Sequence, residues 1–314
     1  MPDFLRCYAR RFFDSGVALL VATTALWGLN CVVSRAAFGQ ISPMSLVTLR
    51  WLFVVAVVLP PLWREIAKAL PVFRARWRFF AFVAICGLTG ANAFFYFSGT
   101  LTSAVNITLL QASTPPFVLL GGVLFKHMRV TALQVAGMLV SFLGVALIAA
   151  QGDFSHLAAF RFNFGDLTLL CGCALYSAFV LVLPERPHLP QLVFFAGMAF
   201  AALLTSLPLF AAEIALGGFY WPSWTGWGLA LFVAIGPSLL CQIFFMRAVD
   251  LIGPGRAGIF TNLTPVFGAI FSVALLGEPF RAYHAEALAL GMAGMALAEA
   301  RRKTGASNVR DPRT

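Results

Sequence analysis

Apolar residues run along this chain in blocks of spanning length, with no regular alternation of polar positions. The blocks fall near 17–37, 44–63, 78–98, 102–125, 130–149, 165–183, 190–212, 224–246, 253–276 and 282–300. Stretches such as Val118 to Phe125 and Val193 to Leu204 are apolar on every side, unlike the alternating segments of about 10 residues that build a membrane barrel. A helix needs about 20 apolar residues to cross a bilayer, and only helices and closed barrels satisfy their backbone groups there. The pattern therefore predicts an all-α integral membrane protein of ten transmembrane helices. Their connections are short, and Pro43, Pro71, Pro187, Pro190, Pro222 and Gly253-Pro254 mark turns.

The segment from Thr100 to Phe125 is written again from Asp250 to Leu275. A shift of 150 lays Leu101 on Leu251, Thr114-Pro115 on Thr264-Pro265, Phe117 on Phe267, Asn92 on Gln242 and Gly144 on Gly294. Ten helices then divide into two fives around the loop Gln151 to Asn163. Five is odd, so the second five enters from the opposite face and the repeats are inverted around a central cavity. The expected organisation is an amino-terminal cytoplasmic segment (1–16), a first five-helix repeat (17–150), an outer connecting loop (151–164), a second repeat (165–300) and a basic cytoplasmic tail (301–314). Each copy places a proline inside an apolar segment, which removes one backbone hydrogen bond and frees a carbonyl. Broken helices paired across two repeats are the usual pointer to a transporter's binding site.

Composition narrows the classes further. The chain is 60% hydrophobic and 11% charged, with mean hydropathy +0.87, which excludes a water-soluble domain of ordinary surface. Its net charge of +10 has a topological explanation rather than a nucleic-acid one. With the amino terminus inside, 18 of the 22 Lys and Arg residues fall on one side, as the positive-inside rule requires of a multi-pass inner-membrane protein with both ends cytoplasmic. Six cysteines lie mostly in apolar runs, and four histidines are dispersed, so neither a metal, another cofactor nor an enzyme's cluster of ionisable groups is expected. The simplest assembly is a monomer in the lipid bilayer.

Polar residues inside the apolar blocks define the candidate site. They are Trp27, Asn30, Asn92, Tyr96, Gln111, Thr114, Tyr176, Gln242, Phe245, Asn262 and Thr264, with Pro115, Pro237 and Pro265 as hinges. Amides and freed carbonyls suit an α-amino group and an α-carboxylate, and aromatic rings suit an apolar side chain. Taken singly, each amide is as readily helix-joining glue as a ligand-binding group, and Trp27 or Tyr176 alone also suits packing. Arg35 and Arg50 fall toward the outer ends of the first two helices with Glu286 opposite them, where an ion-pair or snorkelling cluster is the expected role. That reading leaves the chamber free of ionised groups and favours a neutral or zwitterionic solute. The absence of a carboxylate near the middle of any helix argues against proton coupling, and a nucleoside or riboflavin-like ring compound is the alternative solute.

Three motifs carry a family resemblance: Leu26-Trp27-Gly28-Leu29-Asn30, Gly165-Asp166-Leu167, and Leu276-Gly277-Glu278-Pro279. Over roughly Val17 to Arg301 the chain resembles the drug/metabolite transporter superfamily, within it the EamA-type ten-helix exporters, and most closely the aromatic amino-acid exporters. The resemblance implies a basket-like bundle whose cavity is lined by helices 1, 3, 4, 6, 8 and 9. On those helices lie Trp27, Tyr96, Thr114, Tyr176 and Thr264, and the implied function is amino-acid export by alternating access. The turn motif stands in one copy only, because the first half has Lys126-His127-Met128-Arg129 at the corresponding place.

Overall fold

A computed structural model describes residues 12–128, 130–153, 163–253, 257 and 260–299. The segments expected to be cytoplasmic ends, 1–11 and 301–314, lie outside the described residues, as does most of the loop 151–164. Eight described helices are long and apolar enough to cross a membrane. They are α1 (Gly16–Ala36), α2 (Pro43–Ala75), α3 (Trp77–Leu101), α4 (Ala104–Lys126), α5 (Ala132–Ala149), α6 (Phe164–Glu185), α7 (Gln191–Ala215) and α8 (Trp224–Ile252). Two more follow, the shorter apolar α9 (Leu263–Leu276) and α10 (Ala282–Glu299). Thus the described chain is all-helical and multi-pass.

Helix α2 runs for 33 residues and passes through Pro60, Pro61 and Pro71. The expected end at residue 63 and the expected turn at Pro71 are both corrected by this. Its last three turns carry Arg64, Lys68 and Arg74 beyond the apolar block, so the hydropathy pattern saw only the spanning part of a longer helix. Exposed tryptophans flank the bundle, Trp63 and Trp77 at one end and Trp221 and Trp224 at the other, as amphipathic rings do at membrane interfaces. In α5 only 28% of the apolar span is buried, so most of that helix is left for lipid.

The helices meet in a reciprocal pattern. Helix α1 packs on α8 and α9, while α6, its counterpart 150 residues on, packs on α3 and α4. Helix α2 packs on α7, and α5 on α10. The α5–α10 seam repeats this residue by residue. A Cβ on Gly144 would sit 2.9 Å from the Ala287 carbonyl oxygen, and one on Gly294 would sit 2.5 Å from that of Gly137. Since 294 is 144 plus 150 and 287 is 137 plus 150, each contact is the other's mate. Glycine at 144 and 294 is what lets these backbones touch.

Local irregularities are also duplicated. Residues Ala84–Gly90 of α3 and Ala234–Leu240 of α8 form seven-residue π-helical segments 150 positions apart. Pro237 explains the second one, because it offers no N–H to Val233 and so loosens that turn. In α4 a 3-10 turn at Gln111–Ser113 precedes Thr114-Pro115, and in the second copy a turn at 261–262 precedes α9 and Thr264-Pro265. The chain breaks one turn before each Thr-Pro step, where the missing N–H would have bonded. Finally, α4 ends on His127 at φ 50 and α9 on Gly277 at φ 65, both left-handed. Behind them Met128 N–H donates to the Gly122 carbonyl and Glu278 N–H to that of Ser272. The turn geometry survives in both copies although the Gly-Glu-Pro sequence does not.

Candidate functional site

At the centre of the bundle the two π-helical segments converge on one side chain. Arg50 is 7% exposed. Its Nε donates to Ser238 Oγ at 2.6 Å, and its Nη1 donates to Asn92 Oδ1 at 2.8 Å and to Tyr96 Oη at 2.9 Å. Tyr96 is buried and donates its own hydroxyl to Asn30 Oδ1 at 3.0 Å. Helices α1, α2, α3 and α8 are joined through this network, three of them from the first repeat and one from the second.

The π-helical segments supply its geometry. A wider turn leaves carbonyls without their usual helical partner, and side chains collect them. Ser238 Oγ donates to the Val233 carbonyl at 2.7 Å, and both Asn92 Nδ2 and Trp51 Nε1 donate to the Leu88 carbonyl. Ser238 and Asn92 are thereby oriented with their oxygens toward the guanidinium. Arg50 also lies over the Trp51 ring, 5.2 Å from its centre.

This placement overturns two expectations. Arg50 belongs to no ion-pair cluster with Arg35 and Glu286: Arg35 donates to the Gly99 and Thr100 carbonyls, and Glu286 is exposed. Nor is the interior free of ionised groups. Hydropathy sets Arg50 in the first two turns of α2, and a residue so near a helix end usually reaches water along its stem. Here α3 and α8 close over it instead.

The sequence-derived residues divide into groups. Asn30, Asn92 and Tyr96 join the network directly. Trp27, one turn from Asn30 on the same face, packs against Phe245 with ring centres 5.9 Å apart. Gln111 Nε2 donates to Cys31 Sγ at 3.3 Å. Tyr176 tilts on Phe179 at 5.2 Å and keeps 40% of its surface exposed. The Thr114 carbonyl accepts from Ser177 Oγ at 3.2 Å, and Thr264 Oγ1 is sealed without a partner. Gln242 and Asn262 are half-buried and take no part in the network. Arg50 and Ser238 are the members that sequence reasoning missed. The signal for Ser238 was its place beside Pro237.

One end of the bundle is fastened by carboxylates, the end whose connections 37–42, 102–103, 216–223 and 277–281 are poor in cations. Glu278, just past α9, accepts the backbone N–H groups of Ala104 and Val105 at the start of α4, each at 2.9 Å. Glu213 in α7 accepts Met44 N–H at 3.0 Å, Ser45 N–H at 3.2 Å and Ser42 Oγ at 2.7 Å at the start of α2. The first turn of a helix exposes free N–H groups and a partial positive charge, so a carboxylate is well placed there. In both cases an acid from the second repeat holds the helix of the first to which it corresponds. Their counterparts at the cation-rich end are Trp63 and Met128, which cannot do this.

Two cavities are found at that end. One of about 340 Å³ is lined by Arg35, Ser103, Asn106, Glu278, Arg281 and His284 among others, and a smaller one lies between Thr48, Phe210 and Trp227. Neither includes any of the eleven predicted site residues. Asp166 is buried beside the larger cavity and accepts from Thr102 Oγ1 at 2.5 Å and from Asn106 Nδ2.

Apolar spans, duplicated helix irregularities and a polar cluster between repeats define a multi-pass membrane protein of the transporter class. The sequence pattern of the EamA-like transporter family fits residues 14–150 and again 163–299, and the chain belongs to that family, within the drug/metabolite transporter superfamily. It is similar to the uncharacterized transporter YyaM of Bacillus subtilis, 24% identical over 291 residues that cover 89% of this chain and 92% of the relative. An uncharacterized transporter of Archaeoglobus fulgidus is 22% identical over 266 residues, 83% and 89% of the two chains. A crystal structure covering 90% of this chain and 96% of its own superposes with a TM-score of 0.62 at 19% identity, a likeness of fold. The protein is thus a transporter rather than an enzyme, and its partners are a small molecule and the bilayer.

Proposed function

We propose that this protein carries neutral amino acids, aromatic ones foremost, out of the cell across a bacterial inner membrane, as a monomer with both ends in the cytoplasm. The observation that carries this reading is the convergence of the two π-helical segments, 150 residues apart, on one polar cluster flanked by the Trp27–Phe245 pair. The reciprocal packing of α1 with α8 and α9, and of α6 with α3 and α4, supports ten spans in two inverted fives.

Transport then proceeds by alternating access. The halves rock about Pro115, Pro237 and Pro265, where backbone bonds are already missing, and the solute sits among Trp27, Asn30, Asn92, Tyr96, Gln111, Thr114, Tyr176, Gln242, Phe245, Asn262 and Thr264. The Glu213 and Glu278 contacts close the cation-poor end and must part for release there. The solute's own gradient drives the cycle. Asp166, buried at the start of α6, is held by Thr102 and Asn106 rather than by a member of the Arg50 cluster, which supports a cycle without a proton relay through it.

Counterflow in proteoliposomes tests this, with labelled phenylalanine against a panel of amino acids, nucleosides and riboflavin, run with and without a proton gradient. Exchange limited to amino acids and indifferent to the gradient is expected. Competition by nucleosides or riboflavin alone would transfer the assignment to a neutral ring compound, and acceleration by the gradient would refute the uncoupled cycle.

A further inference from the structure

We propose that Arg50 binds the carboxylate of the transported solute, which makes it the residue that selects for an acid group. The proposal deepens the carrier reading above and rests on it. It starts from a charge without a counter-charge. The three groups that Arg50 touches, Ser238, Asn92 and Tyr96, are neutral acceptors. Among the described residues the ion pairs are Lys126 with Glu185 and Arg247 with Asp14, and neither includes a member of this cluster. The carboxylates of Glu213, Glu278 and Asp166 are each engaged elsewhere.

A guanidinium at membrane depth is costly, and such residues mark binding or conduction sites because a fixed charge there is retained for what it attracts. Arg50 stands eight residues into α2, roughly 10 Å along the helix from its start at 1.5 Å per residue. Its five N–H donors are partly used. One on Nε and two on Nη1 are taken, and the pair on Nη2 has no partner among the described residues. These two N–H groups diverge on one nitrogen, so they offer a carboxylate a charge-assisted hydrogen bond rather than the two-nitrogen fork, and the positive charge adds to it.

The surroundings fit the rest of an amino acid. Tyr96 Oη accepts from the guanidinium and Asn30 Oδ1 stands one hydrogen bond further on, and oxygen acceptors suit an ammonium group. One helical turn along α1 from Asn30, Trp27 and Phe245 provide an aromatic pair for the side chain. A single guanidinium, with no second cation in the network, balances one negative charge, which fits a carboxylate better than a phosphate.

The contrasting role for Arg50 is a brace that only ties α2 to α3 and α8. A brace would affect all solutes equally. The test is ligand-induced thermal stabilisation of the full chain in nanodiscs with phenylalanine, phenylalanine amide and 3-phenylpropionate, followed by counterflow. Hydrogen bonds to a charged group are each worth enough to predict that wild type binds the two carboxylates roughly 10- to 100-fold more tightly than the amide. In Arg50→Gln that preference disappears, and Arg50→Lys retains part of it because an ammonium keeps the positive charge. Equal affinity of wild type for acid and amide overturns the proposal without any variant, which covers the case in which Arg50→Gln does not fold. Equal weakening of all three ligands in both variants also overturns it, and leaves the carrier reading intact if phenylalanine still exchanges. Arg50-dependent binding of 3-phenylpropionate without phenylalanine counterflow would sustain the anchor and remove the amino-acid assignment. Binding of none of the three overturns both.

Discussion

Replacing Glu278 with alanine tests whether an acid of one repeat holds a helix of the other. The carboxylate accepts two backbone N–H groups, from Ala104 and Val105, both at 2.9 Å. Hydrogen bonds to a charged partner contribute about 1.5–3 kcal/mol each when shielded. Glu278 is half-buried beside a cavity, so water recovers part of each bond, and about 1 kcal/mol apiece is the better figure. The sum of about 2 kcal/mol corresponds to roughly 30-fold, at 1.4 kcal/mol per factor of ten. Ser103 Oγ still accepts the Asn106 N–H at 3.1 Å, so the helix start loosens without unravelling. Hydrogen–deuterium exchange of the full chain in nanodiscs reads this directly. In Glu278→Ala the peptide spanning 102–110 should exchange roughly 30-fold faster, by the same arithmetic, with 42–50 unchanged. Glu213→Ala should show the converse. If neither peptide responds, or if one substitution loosens both starts equally, the contacts are not local cross-repeat fastenings and the reasoning fails.

Other outcomes follow from the packing. Gly294→Val would put a Cβ 2.3 Å from Ser141 Oγ and 2.5 Å from the Gly137 carbonyl oxygen, and should cost about 1–3 kcal/mol as a lowered melting temperature. Gly228→Ala in α8, where nothing lies within 4 Å, should leave the melting temperature unchanged or raise it slightly; a drop comparable to that of Gly294→Val would discredit the seam. Tyr96→Phe deprives Arg50 of one acceptor and Asn30 of its donor, and a loss of about 1–3 kcal/mol in unfolding free energy is expected. Replacing Pro115 and Pro265 together with alanine should change counterflow rate more than protein abundance, and unaltered flux would remove their hinge role.

Much of the architecture was readable in one dimension. Thr114-Pro115 and Thr264-Pro265 announced the paired breaks, because a missing N–H acts wherever the chain places it, and Gly144 and Gly294 were legible as matched positions though not as a seam. Asn30, Asn92 and Tyr96 were legible as members of a buried polar network for a similar reason, since an amide or phenol in an apolar helix must find a partner. Arg50 was misread because its fate depends on whether neighbouring helices cover it, which no local pattern records. The Glu278 motif was recognised as a sequence mark, while its contact with α4, 174 residues away, was not.

The sequence by itself determined the helices, the membrane and the duplication, since hydropathy and a 150-residue repeat are properties of order along the chain. Only the tertiary structure decided that a guanidinium without an ion-pair partner among the described residues lies between the repeats, and that Glu213 and Glu278 hold helix starts of the first repeat at the cation-poor end. Those outcomes depend on which helices touch and at what depth. A side chain's electrostatic cost is set by everything packed around it rather than by its distance from a helix end.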